Sequence, residues 1–282
     1  MTTNKAVLEP EERFVHLGDT ALNVAEWRND GPPVLMVHGW GVSWQVWLSV
    51  APLLAKNFNV IAVDLRGHGR SGRATADHLR MTWAEDVARL MEKLLPGGAP
   101  VVGHSLGGWV SLVLPTIIPE LVTKVVSEDP YTGPNSLVGD RARGDASRRA
   151  ARPDPEFVES ATSIEPIKQL IAEQNPRYAP EVVERLATMQ FRMDPGLMRG
   201  RGTRSEEERS YDEMYAAINC PVLLMHGNPE KGGIMDDAEA SRMESIIPDV
   251  RVVSWQHTGH NLHVARNFDF VKVVRRFLNE DG

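Results

Sequence analysis

The stretch Pro100-Val101-Val102-Gly103-His104-Ser105-Leu106-Gly107-Gly108-Trp109 decides the reading of this chain. A short apolar run stops at Gly103, and from Leu106 to Ile118 the sequence is apolar almost all round, as in a helix packed against a sheet. The pattern describes a strand turning sharply into a helix. Gly103 and Gly107 stand two residues to either side of Ser105, where small residues let the backbone crowd together. Such a turn exposes the Ser105 hydroxyl and sets it at a helix N-terminus, which favours developing negative charge.

Outward from this turn, further apolar runs of strand length end in a similar way. Val34 to His38 runs into Gly39, Asn59 to Val63 ends at Asp64, and Val122 to Ser127 ends at Glu128-Asp129. Pro221 to Met225 ends at His226-Gly227, and Val250 to Ser254 precedes a Gly-His loop. Near-continuous apolar runs suit parallel strands buried on both faces. Helical spacing lies between them. Ala84, Val87, Leu90, Met91 and Leu94 share a face within Thr82 to Leu95, with Thr82 as N-cap and Glu85 three residues on. Phe270, Val273, Val274 and Phe277 do the same within Asn267 to Leu278. Arg13 to Leu17 and Ala21 to Trp27 read as an opening antiparallel hairpin. The alternation predicts an α/β protein with a doubly wound, mostly parallel sheet. From about Tyr131 to Ile218 the rhythm breaks into polar helical segments with Pro breaks, read as an inserted helical cap. The expected organisation is a core in two parts, residues 1–130 and 219–282, with the cap at 131–218 between them.

Bulk properties narrow the function. With 282 residues and 42% hydrophobic content, the chain is long enough for one α/β domain with an insertion. A net charge of −7 without a long run of one sign argues against nucleic acid or an anionic membrane as an obligate partner. The only cysteine is Cys220, so no intrachain disulfide can form and a reducing compartment is expected. The polar stretch Met1 to Arg13 has no signal-peptide core, and no apolar run approaches a membrane span, so a cytoplasmic protein is expected. Arg141, Arg143, Arg148, Arg149 and Arg152 form a basic patch early in the cap, read by default as a solvated face, with an acidic protein partner as the alternative.

Three more loops complete the pattern. His38-Gly39-Trp40-Gly41 follows the first long apolar strand, Asp64 to Gly72 forms a Gly-rich turn, and Gly259-His260-Asn261 follows the last strand. In this order and spacing, together with the Gly-His-Ser-Leu-Gly turn, they resemble the α/β-hydrolase superfamily from about Arg13 to Leu278, the cap excepted. The resemblance implies a nucleophilic Ser105, with an oxyanion hole from the backbone N–H groups of Trp40 and Leu106. A serine hydroxyl needs a base to take its proton, and His260 is of the right type, in the right loop and last in chain order. His257 and His263 flank it at three-residue spacing. A three-histidine metal site is set aside for want of supporting ligands, and no metal or cofactor is expected. His104 reads as a packing or hydrogen-bonding residue. Trp40, Trp44, Trp47 and Trp109 are candidates for lining an apolar acyl pocket, half of them at most.

A carboxylate must orient the histidine. The superfamily uses two positions for it. In the loop after the post-cap strand the usual Asp is missing; Asn228 and Glu230 stand near its place, and Asp236 and Asp237 lie further on. After the pre-cap strand stands Asp129, at the spacing seen in haloalkane dehalogenases and zearalenone-type lactonases. Asp129 is preferred to Glu230, and Glu128 is read as a strand-end charge. The expected function is hydrolysis of a small-molecule carboxylic ester or lactone through an acyl-enzyme. The alternatives are a methyl esterase of the pimeloyl-carrier-protein type, a carbon–carbon bond hydrolase and, in another class, a ligand receptor of the same fold.

Overall fold

The computed structural model describes residues 9–74, 80–132, 154–199 and 211–280. Eight strands form one sheet: β1 (Glu11–His16), β2 (Ala21–Trp27), β3 (Pro33–Val37), β4 (Asn59–Val63), β5 (Ala99–His104), β6 (Val122–Glu128), β7 (Val222–Gly227) and β8 (Val250–Trp255). Their order is β1-β2-β4-β3-β5-β6-β7-β8. β2 pairs antiparallel with both β1 and β4, and every pair from β4 to β8 is parallel.

The two-residue period of the strands assigns the helices to two faces. Leu35, Val37, Ile61, Val63 and Val101 pack into one core with α2 (Arg80–Leu94) and α3 (Leu106–Ile117). Val34, Met36, Val60, Ala62 and Val102, their immediate neighbours in sequence, pack into a second core with α1 (Ala51–Leu54). Both faces are therefore covered, and the strands are apolar without alternation. α2 begins at Arg80, two residues before the expected cap, so Thr82 lies inside the helix. The Arg80 guanidinium stacks over the rings of Trp109 and Tyr131, which holds this first turn.

Between β6 and β7 the described residues form helices only: α4 (Pro155–Ser160), α5 (Glu165–Gln174), α6 (Pro180–Arg192), α7 (Pro195–Arg199) and α8 (Asp212–Ala216). Val158, Ile167, Ile171, Val183 and Ala187 make a small apolar cluster of their own there. The arginine patch at 141–152 lies outside the described residues. α9 (Asp237–Ile246), α10 (Leu262–Ala265) and α11 (Asn267–Asn279) complete the chain, with Phe270, Val274 and Phe277 of α11 in the second core. Both ends of the segment between β6 and β7 are tied to α9. Thr132 Oγ1 donates to Glu239, Arg242 bridges Glu239 and Asp212, and Tyr215 Oη donates to the Thr132 carbonyl at 3.1 Å. Cys220, just before β7, is buried, and burial pushes its thiol up to about 11. Among the described residues, no helix is long and apolar enough to cross a membrane.

Candidate active site

In an open α/β sheet the carboxyl ends of the strands and the connections beyond them are where side chains converge. Here β3, β5, β6 and β8 deliver Trp40, Ser105, Asp129 and His260 to that edge. Ser105 has φ 55°, a left-handed conformation that a non-glycine residue adopts only when the surroundings impose it. The crowding responsible is visible in the glycines: a Cβ on Gly103 would stand 2.0 Å from the Gly107 carbonyl oxygen. Ser105 N–H donates to the Glu128 carbonyl at 2.8 Å, and Leu106 opens α3, so its N–H belongs to the turn without intrahelical acceptors. A Cβ on Gly39 would come 3.0 Å from Ser105 Cβ, which sets the backbone before Trp40 against the serine.

Asp129 is the second residue forced to positive φ, at 43°. Its side chain is fully buried and accepts from His260 Nδ1 at 2.7 Å, Ile234 N–H at 2.9 Å and Met235 N–H at 3.2 Å. The Gly-rich loop after β7 folds over this carboxylate. Glu230 is exposed, with its N–H on Asn228 Oδ1. Asp236 caps α9, and Asp237 lies 3.5 Å from His226 Nε2.

Glu128 is not a strand-end charge on the surface. It is wholly buried, and its carboxylate accepts from His263 Nδ1 at 2.8 Å and from His263 N–H at 3.0 Å. His104 is buried too; its Nε2 lies 3.1 Å from the His260 carbonyl, and its ring packs 4.5 Å from that of His260 and 4.9 Å from that of His263. Burial holds His104 well below the usual histidine range, with His260 and His263 adding to the effect. His104, Glu128 and His263 bring potential ligand atoms within 4.8 Å of one another, but both Glu128 oxygens already accept from His263, as in a carboxylate–imidazole pair. His257 is exposed.

Of the four tryptophans proposed for a pocket, Trp44, Trp47 and Trp109 are buried in packing and only Trp40 is partly open. The Trp47 ring packs at a tilt against that of His263, and the Trp109 ring packs edge-to-face with that of Tyr211. The Asp64 turn is structural: its buried carboxylate accepts from Trp44 N–H, Arg70 N–H and Asn23 Nδ2. An open groove of about 650 Å³ between α5 and α6, lined by Lys168 and Tyr178, contains none of the candidate residues.

A family model described as alpha/beta hydrolase fold matches residues 32–266. The chain belongs to this family. As an α/β hydrolase it is 26% identical over 280 residues to a 2-(acetamidomethylene)succinate hydrolase of Mesorhizobium japonicum, covering 95% of each chain. It is 24% identical to a pimeloyl-[acyl-carrier protein] methyl ester esterase of Aeromonas hydrophila, covering 88% of this chain and 96% of that one. The α/β-hydrolase fold is shared with the enol-lactonase of Burkholderia xenovorans at a TM-score of 0.72 and 19% identity, covering 95% of this chain and all of that one.

Proposed function

We propose that this α/β hydrolase cleaves a small carboxylic ester or lactone through an acyl-enzyme, with Ser105 as nucleophile, His260 as general base and Asp129 as the orienting acid. The observation that carries this reading is the 2.7 Å contact between Asp129 Oδ2 and His260 Nδ1, taken together with a serine held at φ 55° at the same edge of the sheet. An Nδ1–H donated to Asp129 leaves Nε2 as the basic atom, able to take the serine proton and return it to the leaving group. The backbone N–H groups of Trp40 and Leu106 are proposed to receive the oxyanion, supported by the packing of Gly39 against Ser105. The helices between β6 and β7 are proposed to cap the site and select the substrate. One relative is named for an ester, and a lactone is a cyclic ester open to the same attack, so these bonds are the first to test.

The test is covalent labelling combined with turnover. A fluorophosphonate should label the wild type once, at Ser105. Ser105→Ala should abolish labelling and lower kcat on nitrophenyl esters or lactones by about three orders of magnitude or more, with the melting curve retained. Labelling at another serine, or unchanged turnover in the variant, overturns the assignment.

A further inference from the structure

β6 ends in two consecutive carboxylates, Glu128 and Asp129, both fully buried and each paired with an imidazole of the segment after β8. The Asp129–His260 pair belongs to the site already described. The Glu128–His263 pair lies behind it, and the ring of His104 packs against both histidines. The protonation of the second pair follows from its partners. His263 Nδ1 points at the carboxylate, whereas His263 Nε2 is buried with no hydrogen-bond partner among the described residues. A bare lone pair is cheaper to bury than an unpaired N–H, which favours the His263 proton on Nδ1, donated to the Glu128 carboxylate. Two ties join Glu128 to the reacting groups, one through its backbone and one through its carboxylate, and a third runs through His104. The Glu128 carbonyl accepts from Ser105 N–H, its carboxylate accepts from the N–H of His263, three residues after His260, and His104 bonds the His260 carbonyl.

We infer that Glu128 is a positioning residue with an electrostatic part: its buried negative charge favours the imidazolium that His260 becomes during attack, and its bonds fix the His260 loop against the serine turn. Among the described residues, the titratable groups placed around His260 are Asp129, directly after β6, and His104 of β5, and beyond the His104 ring His263 of α10 with its partner Glu128 at the end of β6. His104 is held neutral by burial, so the two carboxylates supply the negative charge there.

The inference rests on His260 serving as the base for Ser105, and its test separates the two ideas. In Glu128→Gln the side chain keeps its shape and still accepts from His263 N–H but loses the charge. With a nitrophenyl ester, kcat should fall about tenfold with KM little changed, and the low-pH limb of kcat/KM should move to lower pH. His263→Asn keeps the charge and a donor near the Nδ1 position, and should cost at most about threefold in kcat. A merely structural pair predicts equal losses for the two variants and an unmoved limb, and that result overturns the inference. Should Glu128→Gln fail to fold, His263→Asn decides alone, a loss above about threefold being the contrary result. An NMR titration of the His260 ring in wild type and Glu128→Gln needs no turnover. A midpoint that stays in place refutes the inference even if the hydrolase reading itself fails.

Discussion

Asp129 receives two backbone N–H groups, from Ile234 and Met235, in addition to the imidazole, so its carboxylate is oriented before any substrate arrives. Replacing it with Asn should preserve the fold and lower kcat by up to about four orders of magnitude by favouring the wrong imidazole tautomer, whereas Glu230→Gln should cost little; steady-state kinetics on the two variants tests both expectations. A second prediction concerns His38, whose Nε2 accepts from Leu65 N–H and whose Nδ1 faces the Gly39 carbonyl. Burial lowers it to about 4, so between about 6.5 and 4 the unfolded chain takes up a proton that the folded one refuses, and stability falls as pH drops through that window. His104 acts in the same direction. Asp64, raised to about 6 by burial, acts oppositely, because folded Asp64 keeps a proton over part of that range. The melting temperature should therefore fall from pH 7 towards pH 4.5, and less steeply in His38→Gln; an equal slope in the variant refutes the assignment to His38. The residue types at the strand ends were legible because serine, histidine and a carboxylate each stood within two residues of a glycine or proline. The Glu128–His263 pair was not legible. Glu128 and Asp129 look alike in sequence, and only the backbone twist at Asp129 sends the two carboxylates to different histidines.

At the level of elements, the strands were readable because both faces of the sheet are covered, leaving runs such as Val34 to Val37 with no polar position. Helix ends were less so: Thr82, expected to cap α2, lies inside it, and the arginine stacked in that turn makes a contact that no local capping pattern encodes. The loop after β7 was hard to read for a related reason. Its glycines suggest freedom, yet its N–H groups are drawn onto a buried carboxylate more than a hundred residues earlier in the chain. The turn at Ser105 makes the sharpest prediction at this scale. Gly103→Ala would drive a methyl group to 2.0 Å from the Gly107 carbonyl oxygen, an impossible approach, so β5 and α3 must separate. Stability should drop by about 2 kcal/mol or more, and Ser105 labelling by a fluorophosphonate should slow even in the folded fraction. Urea unfolding together with labelling rates tests both parts; a variant as stable and as readily labelled as the wild type is the opposing result.

Across the whole molecule, the candidate site draws on segments from Trp40 to His263, so it exists only when β3, β5, β6 and β8 are all in register. The helices between β6 and β7 leave and rejoin the sheet through one shared network on α9, in which Arg242 holds the buried Glu239 together with Asp212. That arrangement was out of reach of sequence reading, because the partners are separated by up to 107 residues and are polar. The single thiol, Cys220, is buried at the entry to β7. Its seclusion makes it a built-in clock for breathing of the central sheet. A disulfide reagent should find no target in the native protein, and any slow modification counts the moments when β7 pulls away from its neighbours. The modification rate should climb with urea before global unfolding if β7 opens alone, and only along with global unfolding if the sheet opens as one body. One chemically silent atom thus gives a measure of cooperativity that needs neither a substrate nor an engineered label.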